Sequence, residues 1–326
     1  MRTTSISLLA LVVCLPHLVH AKTDKICILR NEGKDFDEVA GIISSELVEK
    51  YEISEIKISQ KSTYNGIKSK LTESSPDLLV LMDNKPLEYA LKFNSELTDP
   101  RKKIRGVALM SLNLKKRLKG NAEISGIAYE PSPYLLVTQF RYIVGVPIKK
   151  VAAFYRNSLF HDAIEEVKDQ LKGEGVLLEP VNVEEIGTSR TAISEFMKKR
   201  VGPLTNDSGK SDALWILLDS MIINQDLFNS VWIPAARSAS IPFITSAENL
   251  VAPEMHFGTF AITPNLPDMA NQAVQQIEGI LHDNIPPSSF GVEEVVSVNK
   301  ILNRQRAKEI NLKLREDRLG EIKILE

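Results

Sequence analysis

The segment Asp212-Ala213-Leu214-Trp215-Ile216-Leu217-Leu218-Asp219 opens a stretch, running to Asp268, that decides the fold. Residues 213–218 form a nearly continuous apolar run, the pattern of a strand buried on both faces. It stops at Asp219-Ser220, and a helical stretch follows to about Ser240. Residues 241–244 (IPFI) form a second short apolar run ending at Thr245-Ser246, and residues 257–262 a third, closed by Thr263-Pro264. Strands separated by helices in this rhythm predict a parallel sheet with crossover helices. Ligands of such sheets bind beyond the carboxyl ends of the strands. The same segment therefore gives a fold class and a place to look for function.

Working outward, the rest of the chain repeats this architecture. Strands are predicted at residues 26–30, 56–59, 78–82, 107–110 and 124–129, with helices at 36–51, 65–72 and 86–94 between them. Ser132-Pro133 is a capping residue followed by proline at the first helical position, so a helix is predicted to about Tyr142. Gly145-Val146-Pro147 breaks the pattern. A second unit then starts with a strand at 150–155 and a helix carrying Phe160, Ile164, Val167 and Leu171 at helical spacing. A strand at 176–183, a helix at 190–200 and a polar loop at 202–210 precede the opening segment. Leu266, Met269, Ala273, Ile277 and Ile280 mark an amphipathic helix at 266–281. Residues 284–289 read as a linker, 295–298 as a last strand and 303–312 as a last helix.

The length of 326 residues fits about two domains. A hydrophobic content of 43% and a charged content of 25% are those of a soluble globular protein. A net charge of −2 argues against nucleic acid as a partner. The first residues read as a secretory signal: a basic Arg2, an apolar core at 6–19 and a small-residue cleavage pattern ending at Ala21. Export to the periplasm or the exterior follows, with cleavage after Ala21. Lipid attachment at Cys14 is disfavoured, because Leu11-Val12-Val13 lacks the small residue a lipoprotein signal places before its cysteine. Cleavage leaves Cys27 as the single cysteine, in a strand where it serves as a small apolar residue.

Searches for chemistry return little. Gly209-Lys210-Ser211 lacks the earlier glycine of a phosphate loop, since Leu204 stands there. His161, His256 and His282 have no second histidine or cysteine at metal-ligand spacing, so neither metal nor cofactor is expected. No Gly-x-Ser-x-Gly elbow exists. Asn206-Asp207-Ser208 matches a glycosylation sequon, a triplet that arises often by chance. An enzyme is thus not expected.

The strand-end loops are the candidate site. In the second unit they present Arg156-Asn157-Ser158, Asp219-Ser220 and Ser246 with Glu248; in the first, Arg30-Asn31, Asp83-Asn84-Lys85 and Ser111 with Asn113. Ser158 opens a helix, so its hydroxyl and the free N–H groups behind it can hold a carboxylate, with Arg156 adding charge. Asp219 can accept an ammonium group. The competing reading is structural: Ser158 caps its helix and Asp219 closes a turn.

Several of these segments together resemble the substrate-binding proteins of ABC transporters with the type I periplasmic-binding fold, the branch that includes aromatic amino acid binders. Ile124-Ser125-Gly126-Ile127 resembles that family's segment before the inter-domain helix, and residues 146–155 (VPIKKVAAFY) its way into domain two. Residues 212–219 are similar to its Asp-Ala-apolar-Asp strand; Ser240-Ile241-Pro242-Phe243, Glu248-Asn249-Leu250-Val251 and Val298-Asn299-Lys300 follow in order. Domain one departs from the pattern: Asp83-Asn84-Lys85-Pro86 stands where the family has a small-residue loop, and Ser111-Leu112-Asn113 where it has an Asp-Pro type loop.

The resemblance implies two Rossmann-like α/β lobes joined by a hinge. They are expected to consist of residues 22–145 plus about 264–287, and 146–263 plus about 288–326. It implies an exported monomer that traps a small polar, amino-acid-like ligand between the lobes for an ABC permease. The alternative is a ligand-sensing or protein-interaction module that kept the fold without transport.

Overall fold

The computed structural model describes residues 23–206 and 211–326. The signal segment with Cys14, and most of the sequon, lie outside the described residues. The strands are β1 (Lys25–Asn31), β2 (Glu52–Ile58), β3 (Leu78–Met82), β4 (Arg105–Leu109), β5 (Ile124–Ile127), β6 (Lys150–Tyr155) and β7 (Leu177–Asn182). They continue with β8 (Ala213–Ile216), β9 (Phe243–Thr245), β10 (Phe260–Pro264), β11 (Val292–Glu293), β12 (Val298–Asn303) and β13 (Lys323–Leu325). The helices are α1 (Lys34–Leu47), α2 (Tyr64–Ser74), α3 (Asn84–Glu96), α4 (Leu114–Arg117), α5 (Pro133–Ile143) and α6 (Asn157–Gly173). After them come α7 (Arg190–Asn206), α8 (Gln225–Leu227), α9 (Ile233–Ser238), α10 (Leu266–Leu281), α11 (Pro287–Phe290) and α12 (Arg304–Glu309).

These strands build two sheets, β11-β5-β4-β3-β1-β2 and β13-β12-β10-β9-β8-β6-β7. The pairings are parallel except β10 with β12. The expected two-lobe α/β architecture is therefore present. The all-apolar strands explain it. Ile26 and Ile28 of β1 and Leu78, Val80 and Met82 of β3 pack on the side covered by α1 and α10. Their neighbours Cys27, Leu29, Leu79 and Leu81 pack on the opposite side, with α2 and α3. In the second lobe Ala213 and Trp215 face α5 and α6, while Leu214 and Ile216 face α7 and Trp232. A period-two strand with two apolar faces needs a helix layer on each side, and each sheet has both.

The chain passes between the sheets in places that differ in part from the sequence reading. The break at Gly145 invited a crossing there. Instead α5 already packs on the second sheet, with Leu136, Val137 and Phe140 against Phe260 and Ile262. Its apolar stripe needs a sheet to cover it, so the chain crosses between β5 and α5, and Gly145 N–H donates to Lys313 O at 2.7 Å. Likewise, residues after Pro287 do not go straight to the second lobe. The pair Val292–Glu293 joins the edge of the first sheet beside Gly126 and Ile127, and the chain crosses between β11 and β12. Between those two, β10 leads into α10 at Asn265. Of the polar loop expected at 202–210, residues 202–206 are the end of α7, with Pro203 inside that helix, and 207–210 lie outside the described residues.

Candidate functional site

Both lobes use the polar residues at their strand ends for bonds within themselves. In the first lobe Arg30 is buried, at 2% exposure. Its guanidinium pairs with Glu55 and Asp37 and donates to the Asn31 carbonyl at 3.0 Å. Asn31 Nδ2 donates to Asp83, and Asp83 Oδ1 caps α3 by accepting from Asn84 N–H at 2.6 Å. The Arg30 hydrogen bond holds the Asp37 carboxyl below its ordinary pKa, against an opposing effect of burial and with lesser help from the Arg30 and Lys57 charges. Ser111 is fully buried, its hydroxyl without a hydrogen-bond partner among the described residues, and Asn84 Oδ1 is in the same state.

In the second lobe Arg156 and Asp219 bind each other. Nε to Oδ2 is 2.6 Å and the second guanidinium nitrogen lies 2.9 Å from Oδ1, a two-bond fork. Asp219 Oδ1 also accepts from Met221 N–H at 2.9 Å. The start of α6 is occupied as well. Ser158 N–H donates to Glu184 Oε2 at 2.8 Å, and Ser158 Oγ donates to Oε1 at 2.7 Å. Glu184 is thus the carboxylate that the helix N-terminus attracts. Burial pushes its pKa up, but the Ser158 bonds and the Arg156 charge outweigh that and leave it below the ordinary value. Ser220 and Glu248 are exposed, the latter paired with Lys323 at 2.6 Å.

A cavity of about 760 Å³ lies between the lobes, to one side of these loops. Lobe one lines it with α4 and its flanks, Ala128, Glu130 and Glu294; lobe two with one face of α6, Trp215, Leu217 and Ser246; the crossing at Pro131–Pro133 closes it. Of the residues expected from sequence, Asn157, Ser158, Ser246 and Asn113 are on its wall. Arg30, Asn31, Asp83, Asn84, Ser111, Arg156, Asp219 and Ser220 are not. Arg30, Asn31, Asp83, Arg156 and Asp219 are turned to partners inside their own lobes, Ser111 and Asn84 bury their side-chain oxygens without a partner among the described residues, and Ser220 faces solvent.

Glu130, Phe160, Trp215 and the lysines of α4 were not singled out from sequence. Glu130 could have been: it directly follows the strand expected at 124–129, as Asp83 follows the one at 78–82, so the strand-end rule applies to it equally. Its Oε2 accepts from Asn113 N–H at 2.7 Å. Burial pushes its carboxyl up from the ordinary value, against the Asn113 N–H and the Arg117 charge. The Trp215 signal is strand alternation, which points it to the α6 side. Lys116 reaches across the gap, its Nζ 3.3 Å and 3.2 Å from the carbonyls of Ser158 and Leu159. Lys115 Nζ lies 2.5 Å from Glu294, which holds the ammonium pKa above its ordinary value. Among the described residues no cluster of histidine, cysteine and acidic side chains could hold a metal ion.

No family model matches the chain, and no curated protein matches it in sequence. Solved structures do match. A ligand-free, open substrate-binding protein with adhesive properties from Clostridium difficile superposes with a TM-score of 0.66, at 14% identity over 93% of this chain and 99% of that one. A conserved domain protein from Vibrio cholerae gives 0.61 at 14% identity, covering 94% of this chain and 100% of that one. An ABC domain in complex with L-Trp from Streptococcus pneumonia gives 0.57 at 17% identity, covering 92% and 100%. The chain has the type I periplasmic-binding fold. Its neighbours in this fold are binding proteins and regulators. The cavity described above occupies the space between the two lobes of this fold. No helix among the described residues is long and apolar enough to cross a membrane.

Proposed function

We propose that this chain is an exported binding protein that holds a small organic ligand, amino-acid-like or somewhat larger, between its lobes and delivers it to an ABC permease. The observation that carries this reading is the cavity of about 760 Å³ built jointly by both lobes. Its size falls within the ~300–1,000 Å³ of small-molecule sites. Its wall combines apolar side chains (Phe160, Trp215, Leu217) with a few charged groups, the usual makeup of such sites. The three passages of chain between the lobes supply a hinge, and Lys116 bridges the lobes on the cavity side. Closure removes water from the ligand and strengthens its polar contacts. The signal segment supports export, and the chain acts as a monomer in this reading.

The test is calorimetric titration and thermal shift against a panel of amino acids, amines, carboxylates and sugars. One class should raise the melting temperature, and Trp215→Ala should weaken that ligand by tenfold or more. A panel in which nothing binds overturns the proposal. The self-bonded strand ends of lobe one favour a second reading, a sensing or interaction module that keeps ligand binding without transport. Ligand-loaded protein that stimulates the ATPase of a permease encoded beside it supports delivery; binding without stimulation supports the module.

A further inference from the structure

The charged groups around the inter-lobe cavity divide into those the chain already uses and those it leaves open. At the start of α6 the groups of Ser158 and Arg156 that are suited to a ligand carboxylate are engaged. The Ser158 N–H and hydroxyl hold Glu184, and the Arg156 fork holds Asp219. Lys115 is paired with Glu294, and Lys116 is spent on two carbonyls of the opposite lobe. Lys119 alone of the lining cations makes no side-chain bond among the described residues, and it is exposed at the rim.

The acidic side is open. Glu130 uses Oε2 on Asn113 N–H, while its Oε1 makes no hydrogen bond among the described residues. Asp162 lines the same cavity with no ion pair among the described residues, and Glu166 accepts only a long bond from Gln170 at 3.4 Å. Trp215 and Phe160 line the same cavity, both mostly buried. A carboxylate oxygen left open in the same cavity as aromatic rings is the chemistry that receives an organic cation. The ring faces attract the positive charge, and the carboxylate takes the N–H groups.

We infer that the cavity selects an organic amine with an apolar body, its ammonium at Glu130 and its apolar part against Trp215 and Phe160. This inference deepens the proposed function and rests on it. No ligand carboxylate is needed, and the chain's own Glu184 fills the place at the start of α6 where one would be held.

Matched compounds that differ only in charge test it. Phenethylamine, phenylalanine and 3-phenylpropionate form one series; tryptamine, tryptophan and indole-3-propionate form the other. Each is titrated calorimetrically into the full mature chain. The amine should bind at least tenfold more tightly than the matched acid and more tightly than the zwitterion. Glu130→Gln should weaken the amine by tenfold or more, whereas Lys119→Glu should tighten it. Circular dichroism checks that both variants fold, and the opposite sign of the second keeps the test open if the first is unstable. An acid or zwitterion that binds as tightly as the amine overturns the inference, as does an amine affinity unmoved in both variants. So does binding confined to sugars. Those outcomes leave ligand binding itself standing, while an absence of binding across both series and the wider panel removes the proposed function as well.

Discussion

The two lobes solve the same problem with opposite burial. Each has an arginine at a strand end held by carboxylates of its own lobe. In lobe one the arginine is the buried partner: the Arg30 side chain is 3% exposed, while Asp37 and Glu55 are 57% and 36% exposed. In lobe two the carboxylate is buried: the Asp219 side chain is 1% exposed and Arg156 is 20% exposed. A charge near water recovers its hydration when its partner is removed, and a buried one does not. The two pairs look alike as contacts, but removing the arginine has different consequences in each.

The largest effect is therefore expected from Arg156→Ala, which strands Asp219 without a counter-charge. It should lose about 3–5 kcal/mol in chemical denaturation, the range for breaking a buried pair. Asp219→Asn should cost less, because the arginine it frees reaches water. Equal losses from the two substitutions would break the comparison.

Next comes Glu184→Gln, which weakens the cap of α6. A loss of about 1 kcal/mol is expected from the cap bond and the helix-end charge. Its pH dependence sharpens the point. The folded-state pKa of Glu184 is lowered, so its contribution is present above the ordinary carboxylate value and lost as pH falls through the lowered one. Melting temperatures of the variant should accordingly fall less steeply than those of the parent over that acidic range. Parallel curves would show that Glu184 contributes no charge-dependent stability.

The smallest effect is expected from Arg30→Met, which keeps an apolar body in the buried space and returns Asp37 and Glu55 to solvent. Its melting temperature should drop clearly less than that of Arg156→Ala under the same conditions. A drop as large would mean that the Arg30 network holds lobe one together through more than its two exposed carboxylates.

Much of the framework was legible in the sequence. The runs at residues 78–82, 150–155 and 213–216 are strands because an all-apolar run stays dry only in a sheet covered on both faces. The stripe of Leu266–Leu281 likewise predicts a helix against a core, and α10 packs on α1 and the first sheet. Short edge elements were not legible. The strand Val292–Glu293 and the strand Lys323–Leu325 carry too few residues for a period to show, and β11 exists only because Gly126 and Ile127 present a free edge. Gly145 was misleading for a related reason: a backbone break marks a turn but does not say which sheet the preceding helix covers.

The candidate site divides in the same way. The sequence by itself determined the fold class, the buried strands and the loops at their ends, because periodicity and capping are local properties of the chain. It placed Ser158 at a helix start, as the structure does, and Asp219 at a strand end, whereas the strand stops at Ile216 and Asp219 lies in the loop beyond it. Only the tertiary structure decided what those groups face. Arg156 meets Asp219 across 63 positions of chain, Ser158 meets Glu184 across 26, and Lys116 meets Ser158 across 42. Pairings at that separation are set by how strands and helices stack, and they decide which charges are already neutralised. What remains open is Glu130, past the end of β5, on a cavity that Phe160 of α6 and Trp215 of β8 also line, and the packing of the two lobes that builds this cavity is one that no local pattern could place.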